Sequence, residues 1–327
     1  MKHYRAVLEI IYAMSKLLKL CIAGFALISN ICFADNYPQS KITLVVPFAA
    51  GSATDAVARV VALKVGQLLG QIVIVENRAG ASAQIGTQFV ASAKPDGYTL
   101  LMTTNTSHSA NPWLFTKLAY DPLKDFTPIT RVGELLFVLC VNNELPVKNL
   151  NELISFARAH PQKLFYGTPN STSLVTTASL LHHANINMTQ VAYKSSPQAI
   201  TDLVGNQIQV YVADTGSVMS MIQAGKIRPL ALTSSRLYAP LSTIPSMSST
   251  LPDFKLVSWN GIFGPAKMPP AVVDTLNKAF LQALNDKDVQ EKLATHGLIV
   301  WPSHNPQEFA SYVNEQLVYW GKLIKQY

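Results

Sequence analysis

Ser107 and His108 stand side by side in the stretch TSHSAN, and a hydroxyl beside an imidazole is the pair from which a hydrolase makes a nucleophile. Neighbours in sequence do not create the angle a proton relay needs, and the chain has no G-x-S-x-G elbow. A different chemistry is written more often. PFAAGSATD, TTNTSHSANP (103–112), YGTPNSTS (166–173) and YKSSP (193–197) each end a strand-like run and open a helix-like one, and Asp214 ends another strand. All four loops are rich in small or polar residues, and the first three hold no Lys or Arg. At such junctions free N–H groups and the positive end of a helix dipole attract a small anion, each end contributing roughly 0.3–1 kcal/mol. A carboxylate fits there without any formal cation, with water bridging where the loop falls short. Each loop alone reads as ordinary helix capping; several on one presumed edge read equally as an anion cradle.

Other chemistries find less support. His182 and His183 lie in a helical run with no carboxylate at metal-ligand spacing, so no metal site is expected, and one imidazole should be exposed and the other packed. GSATD lacks the lysine of a phosphate-binding G-x-x-x-x-G-K-[ST] loop and no G-x-G-x-x-G is present, so no nucleotide or other cofactor is expected. Tyr319 and Trp320 read as core or lobe-packing residues.

The elements that would position these loops alternate along the chain. ITLVVPF is a strand and TDAVARVVALKVGQLLG a helix with Val57, Val60/Val61, Val65 and Leu68 on one face. Ser52 and Asp55 are spaced as a capping box, and Gly70 suits the helix stop. QIVIVEN, ASAQIGTQFVASA and YTLLMTT continue as strand, helix and strand. The long apolar strand ELLFVLCVN opens a second series, in which Asn149 with Glu152 and Ser196-Pro197 mark helix starts. After the extended crossover KLVSWNGIFGP come three helices. Repeated strand–helix–strand units imply parallel sheets covered by helices on both faces. Two apolar crossovers divide the chain into two lobes, 35–137 plus 258–327 and 138–257, with a cleft between them.

Residues 20–34, LCIAGFALISNICFA, are too short to span a bilayer comfortably. Basic residues precede them, and Cys32 and Ala34 occupy the −3 and −1 positions of a signal-peptidase site, so 1–34 reads as an export signal cleaved after Ala34, with Met14 as the true start. Removing it leaves 22 basic and 18 acidic residues, a net charge of +4 instead of +7, with no basic stripe for nucleic acid. Of three cysteines only Cys140 remains, in an apolar run, so it is expected to be a buried thiol without a disulfide partner.

The stretches YP…ITLVVPFAAGSATDAVAR, VIVENRAGASAQIGTQFVASAKPDGYTLLMTT and AYDPLKDFTPIT resemble the Bug (Bordetella uptake gene) or TctC family, periplasmic substrate-binding proteins of tripartite tricarboxylate transporters. YGTPNSTS, VAYKSSPQAITDLVGNQIQVYVAD, IQAGKIRPLALTSS and GIFGPAKMP extend the likeness over the mature chain. The resemblance implies an α/β type II periplasmic-binding-protein fold, two lobes joined by two crossover strands and closing on a small carboxylate: a di- or tricarboxylate, an acidic amino acid or an aromatic acid. It also implies a monomer whose partner is a tripartite transporter membrane component or a sensor. Carried onto this chain, the ligand-binding positions are Phe48, Ala49, Gly51, Ser52 and Thr54, then Thr104, Ser107, His108 and Asn111. Gly167, Thr168, Ser171 and Thr172 follow, with Tyr193, Ser196 and Asp214 completing the cleft. Asp55 is expected to cap and fix the first loop, not to touch an anion. Ser52 stands where the family has a second adjacent glycine, and YKSS replaces YKG, differences that bear on ligand identity. The competing class is an exported hydrolase using Ser107 and His108.

Overall fold

The computed structural model describes residues 37–326 except 237, 253, 255 and 257. The expected export signal, with Met14, Cys21, Cys32 and the cleavage point after Ala34, lies outside the described residues.

The first strand–helix unit follows its sequence pattern. β1 (Ile42–Val46) leads to α1 (Ala53–Leu69), which buries Val57, Val61 and Val65. Ser52 Oγ accepts the Asp55 N–H at 3.3 Å and the Asp55 carboxylate accepts the Gly51 N–H at 3.0 Å, a reciprocal cap at the helix entry. Gly70 closes the helix in the left-handed region at φ 63°. β2 (Val73–Asn77), α2 (Gln84–Ala91) and β3 (Thr99–Thr104) follow. β3 runs into a π-helical turn, Thr106–Ala110, and then the short α3 (Asn111–Leu114) before β4 (Phe126–Leu135).

The chain then enters a second sheet. Its elements are β5 (Phe137–Asn142), α4 (Leu150–Ala159), β6 (Phe165–Thr168), α5 (Ser171–Ala184), β7 (Thr189–Ala192), α6 (Ser196–Val204), β8 (Val210–Asp214), α7 (Thr215–Gln223) and β9 (Ile227–Leu232). It returns through β10 (Ser258–Pro265) to α8 (Pro270–Leu284), α9 (Lys287–Thr295), β11 (Leu298–Val300) and α10 (Pro306–Ile324). The strand orders are β11-β4-β10-β3-β1-β2 and β7-β6-β8-β5-β9, one sheet in each lobe.

Two expectations about the strands are corrected. The sheets are mixed: β10 is antiparallel to β3 and β4, and β5 is antiparallel to β8 and β9, because a chain passing between the sheets enters each against the direction of its βαβ units. ELLFVLCVN is not one strand. Leu136 leaves the ladder, donating its N–H to the Gly297 carbonyl at 3.0 Å and accepting the Thr215 N–H at 2.9 Å, so β4 ends and β5 begins on either side of it. Beside this crossing the lobes meet closely. A Cβ on Gly216, in the first turn of α7, would come within 2.3 Å of the His296 carbonyl, so only glycine fits.

Each sheet has its own core. Val45, Leu101, Trp259, Phe263 and Phe309 pack in the first lobe, and Val138, Cys140, Leu203 and Tyr211 in the second. Cys140 is buried, and burial pushes its thiol up. Trp320 is fully buried whereas Tyr319 is exposed. Both His182 and His183 are exposed, not one of each, because Leu180 and Ala184, one turn apart, take the inner face of α5 and leave the two imidazoles on its outer face.

Candidate functional site

The loop between β1 and α1 is held from behind by its own polar residues. Gly51 takes φ 80°, which an L side chain rarely adopts. Asn77, at the end of β2, donates to the Phe48 carbonyl at 3.1 Å and to Asp55 Oδ1 at 2.9 Å, and Arg59 pairs with Asp55 at 2.9 Å. Burial alone would raise the Asp55 carboxyl. The hydrogen bonds from Arg59, Gly51 and Asn77, with the Arg59 charge, outweigh it and leave the group below the ordinary carboxylate range. Asp55 therefore spends its charge inside the loop.

In front of this loop lies a cavity of about 390 Å³, lined by Pro47, Phe48, Ala49 and Ser52, by Gly80 to Ala83, by Pro169 and Asn170, and by Ala192 to Ser196. It is at the small end of ligand pockets, roughly 300–1,000 Å³. Four helix N-caps are among these residues: Ser52 of α1, Ala83 of α2, Asn170 of α5 and Ser195 of α6. Among the described residues no carboxylate lines the cavity, and Lys194 is the one charged lining residue. The Tyr193 hydroxyl is already committed, donating to Asp202 Oδ2 at 2.7 Å, and burial together with Asp202 pushes it up to about 12. Its ring, not its hydroxyl, forms the wall.

Phe48, Ser52, Asn170 and Ser196 also line a narrow recess of about 20 Å³ behind the cavity. Leu135, Phe137 and Ser258, from the two crossing segments, contribute to it, with Thr54, Thr104, Thr106, Thr172 and Asp214. Such a volume takes about one water or one small polar group, since a water needs roughly 10–15 Å³ of this measure. Asp214 caps α7, accepting the Ser217 N–H at 2.9 Å; burial pushes its carboxyl up, against hydrogen bonds from Ser217 and Ser196.

The expected site residues divide accordingly. Phe48, Ala49, Ser52, Tyr193 and Ser196 line the cavity, while Thr54, Thr104, Thr172 and Asp214 line the recess. Gly51, Ser107, His108, Asn111, Gly167, Thr168 and Ser171 line neither. Gly51 supplies the turn. Gly167 lies under Ile208 and Tyr193, where a Cβ would meet Ile208 Cδ1 at 2.7 Å, and Thr168 Oγ1 accepts from Gln190 at 2.9 Å.

The π-helical turn carries Ser107 and His108 into the lobe instead of the cleft, and both are fully buried. Ser107 Oγ lies 2.6 Å from Thr103 Oγ1 and 2.9 Å from His108 Nδ1, and the imidazole stacks on Phe263 with centroids 4.0 Å apart. Burial drives His108 down to about 3. A neutral imidazole in an aromatic core has no route to a substrate in the cleft, which removes the structural basis of the hydrolase reading. Asn111 and Ser171 bond to each other, Ser171 Oγ donating to Asn111 Oδ1 at 2.7 Å.

The turn Ala81–Ala83 has no counterpart among the expected site residues. It takes φ 46°, 51° and 70° at three successive residues and walls the cavity, although the sequence reads as the start of α2. A run of small residues, AGASA, before the first large apolar helix position was the available signal. Lys194 and Asn170 in the cavity and Ser258 in the recess are likewise absent from the expected set.

Two α/β lobes around a cleft walled by helix N-termini are the architecture of a periplasmic solute-binding protein. The family model of the tripartite tricarboxylate transporter receptors, TctC, matches residues 57–327. Protein BugT of Bordetella pertussis is 31% identical over 302 residues, which cover 90% of this chain and 91% of that protein. A Rhodopseudomonas palustris protein solved with adipate superposes at a TM-score of 0.86 with 31% identity, covering 89% of this chain and 98% of the other. MatC from Rhodopseudomonas palustris, solved with bound malate, gives 0.83 with 30% identity over 88% of this chain and all 100% of the other. The chain belongs to the Bug/TctC family of solute-binding receptors.

Proposed function

We propose that this receptor captures a small carboxylate in the 390 Å³ cavity and presents it to a tripartite-type membrane transport component outside the cytoplasm. One observation carries the reading: four helix N-termini meet at a single cavity whose lining, among the described residues, has one lysine and no carboxylate. Each end contributes roughly 0.3–1 kcal/mol to holding an anion, and up to about 2 kcal/mol where partly buried. Together with apolar contact to Phe48 and Tyr193, this suits a dissociation constant of about 1 nM to 1 μM, roughly −12 to −8 kcal/mol. The adipate- and malate-bound relatives support the carboxylate, and the family's name supports the transporter. The expected export signal is consistent with a monomer working in the periplasm after cleavage following Ala34. The solute is held and released unchanged.

Mass spectrometry of whatever co-purifies with the protein names the solute directly. In thermal melts with a library of carboxylates, at least one acid at 100-fold excess over its Kd should stabilise by about 2.7 kcal/mol. A library of mono-, di- and tricarboxylates and amino acids that leaves the melting temperature unmoved would overturn the proposal.

A further inference from the structure

We propose that Asn105 and Asn111 are positioning residues that latch the two lobes beside the cavity, so that the closed cleft is populated before any solute enters. Both side chains belong to the first lobe and both are fully buried. Each reaches the first turn of α5 in the second lobe. Asn105 Nδ2 donates to Thr172 Oγ1 at 2.9 Å, and Asn111 Oδ1 accepts from Ser171 Oγ at 2.7 Å. The other end of each amide is anchored at home. Asn105 Oδ1 accepts from Ser258 Oγ at 2.6 Å, and Asn111 Nδ2 donates to the Ser82 carbonyl at 2.7 Å. One end of each amide is therefore fixed and the other spans the lobes.

The latch is continuous with the cavity wall. Ser82 lines the cavity from the first lobe, and Asn170, the residue before Ser171, lines it from the second. The chain Ser82–Asn111–Ser171 thus joins two walls that would separate if the lobes swung apart about the Leu136 and Ser258 crossings. Thr172 and Ser258 themselves line the recess.

Energetics assign the effect to closure, not to folding of either lobe. A made hydrogen bond contributes little net, whereas a buried donor left unpaired costs more. If the Thr172 hydroxyl is removed, Asn105 Nδ2 is stranded only while the lobes are shut; opening lets water reach it. The helix start does not depend on these hydroxyls, because Asn170 Oδ1 caps α5 by accepting the Ser173 N–H at 2.9 Å. Loss of both bridges should therefore move the closed-to-open ratio by roughly tenfold and leave each lobe intact.

The test needs no solute, so it stands or falls separately from the carboxylate reading. Small-angle scattering of Ser171→Ala/Thr172→Val, with nothing added, should show a larger radius of gyration than wild type. Amide exchange at residues 103–112 and 170–173 should quicken. Ser171→Thr/Thr172→Ser, which keeps both hydroxyls, should restore wild-type compactness. Ser171→Ala alone, leaving Asn105 paired, should open less in the same direction, and it carries the test if the double variant does not fold. Scattering and exchange indistinguishable from wild type in the hydroxyl-free variants, or no recovery in the hydroxyl-bearing one, overturns the latch.

Discussion

Asp55→Ala should be among the most costly single changes near the cleft that touch no solute. The carboxylate accepts from Gly51 N–H, from Asn77 Nδ2 and from Arg59, and it is 4% exposed. Removing the reciprocal cap costs about 1 kcal/mol. Asn77 Nδ2 keeps the Phe48 carbonyl and is half-buried, so losing its second acceptor costs about 1 kcal/mol. The Arg59 pair adds at most about 1 kcal/mol, because its guanidinium is half exposed. These contributions overlap, and a total of about 1–3 kcal/mol is expected, near 2–9 °C in melting temperature for a protein of this size. The pH dependence follows from the lowered carboxyl. Its stabilisation is present above the unfolded value of about 3.9 and is lost as pH falls through the folded value. Asp55→Asn should remove that increment at neutral pH and flatten the corresponding acid limb. Urea unfolding at pH 7 and through the acid range measures both. An Asp55→Ala protein within about 0.5 kcal/mol of wild type at pH 7 would refute the reasoning, since surface changes away from such networks fall in that band.

Further outcomes follow from individual sites. His108→Phe should retain solute binding and remove a slope in stability: the buried imidazole, down to about 3, contributes fully above about 6.5 and loses up to roughly 1.4 kcal/mol per unit as pH falls toward 3. Urea melts across that range, alongside a binding assay, check both halves. Ala83→Gly relieves an alanine held at φ 70° and should stabilise by about 0.5–1 kcal/mol, read by thermal melts. Asp214→Asn removes a buried carboxylate from the recess and should tighten a plain dicarboxylate about tenfold, measured by calorimetry; weaker binding would mean that Asp214 instead holds a donor group of the solute.

Local chemistry was the legible part of the sequence. Ser52 with Asp55 and Asn149 with Glu152 announce helix starts that the structure contains, because a cap is decided within four residues. Three of the cavity's loops, those around Ser52, Asn170 and Ser195, are legible for the same reason, whereas the fourth, Gly80–Ala83, is not. Direction was not legible: whether β5 or β10 runs with or against its neighbours depends on a crossing that no short window contains. Leu136 looks like any other apolar residue of its run, and only Gly297 and Thr215, distant in sequence, pull it from the ladder. Loop membership alone points Ser107 and His108 to the cleft, but a π-helical turn carries them inward. Ser171 and Asn111 have the polarity of ligand contacts but satisfy each other, which only the juxtaposition of the lobes reveals.

Strand β10 lies between β3 and β4 in the first sheet, with Ile262 opposite both Met102 and Thr130. A chain made or threaded from its N-terminus therefore presents β3 and β4 with a vacant slot between them while the whole second sheet is still being completed. Until β10 arrives that edge lacks its partner, and an open apolar edge is the feature that aggregation exploits. The second sheet draws every strand from one uninterrupted segment, so the strand order allows the inserted lobe to be completed before its host.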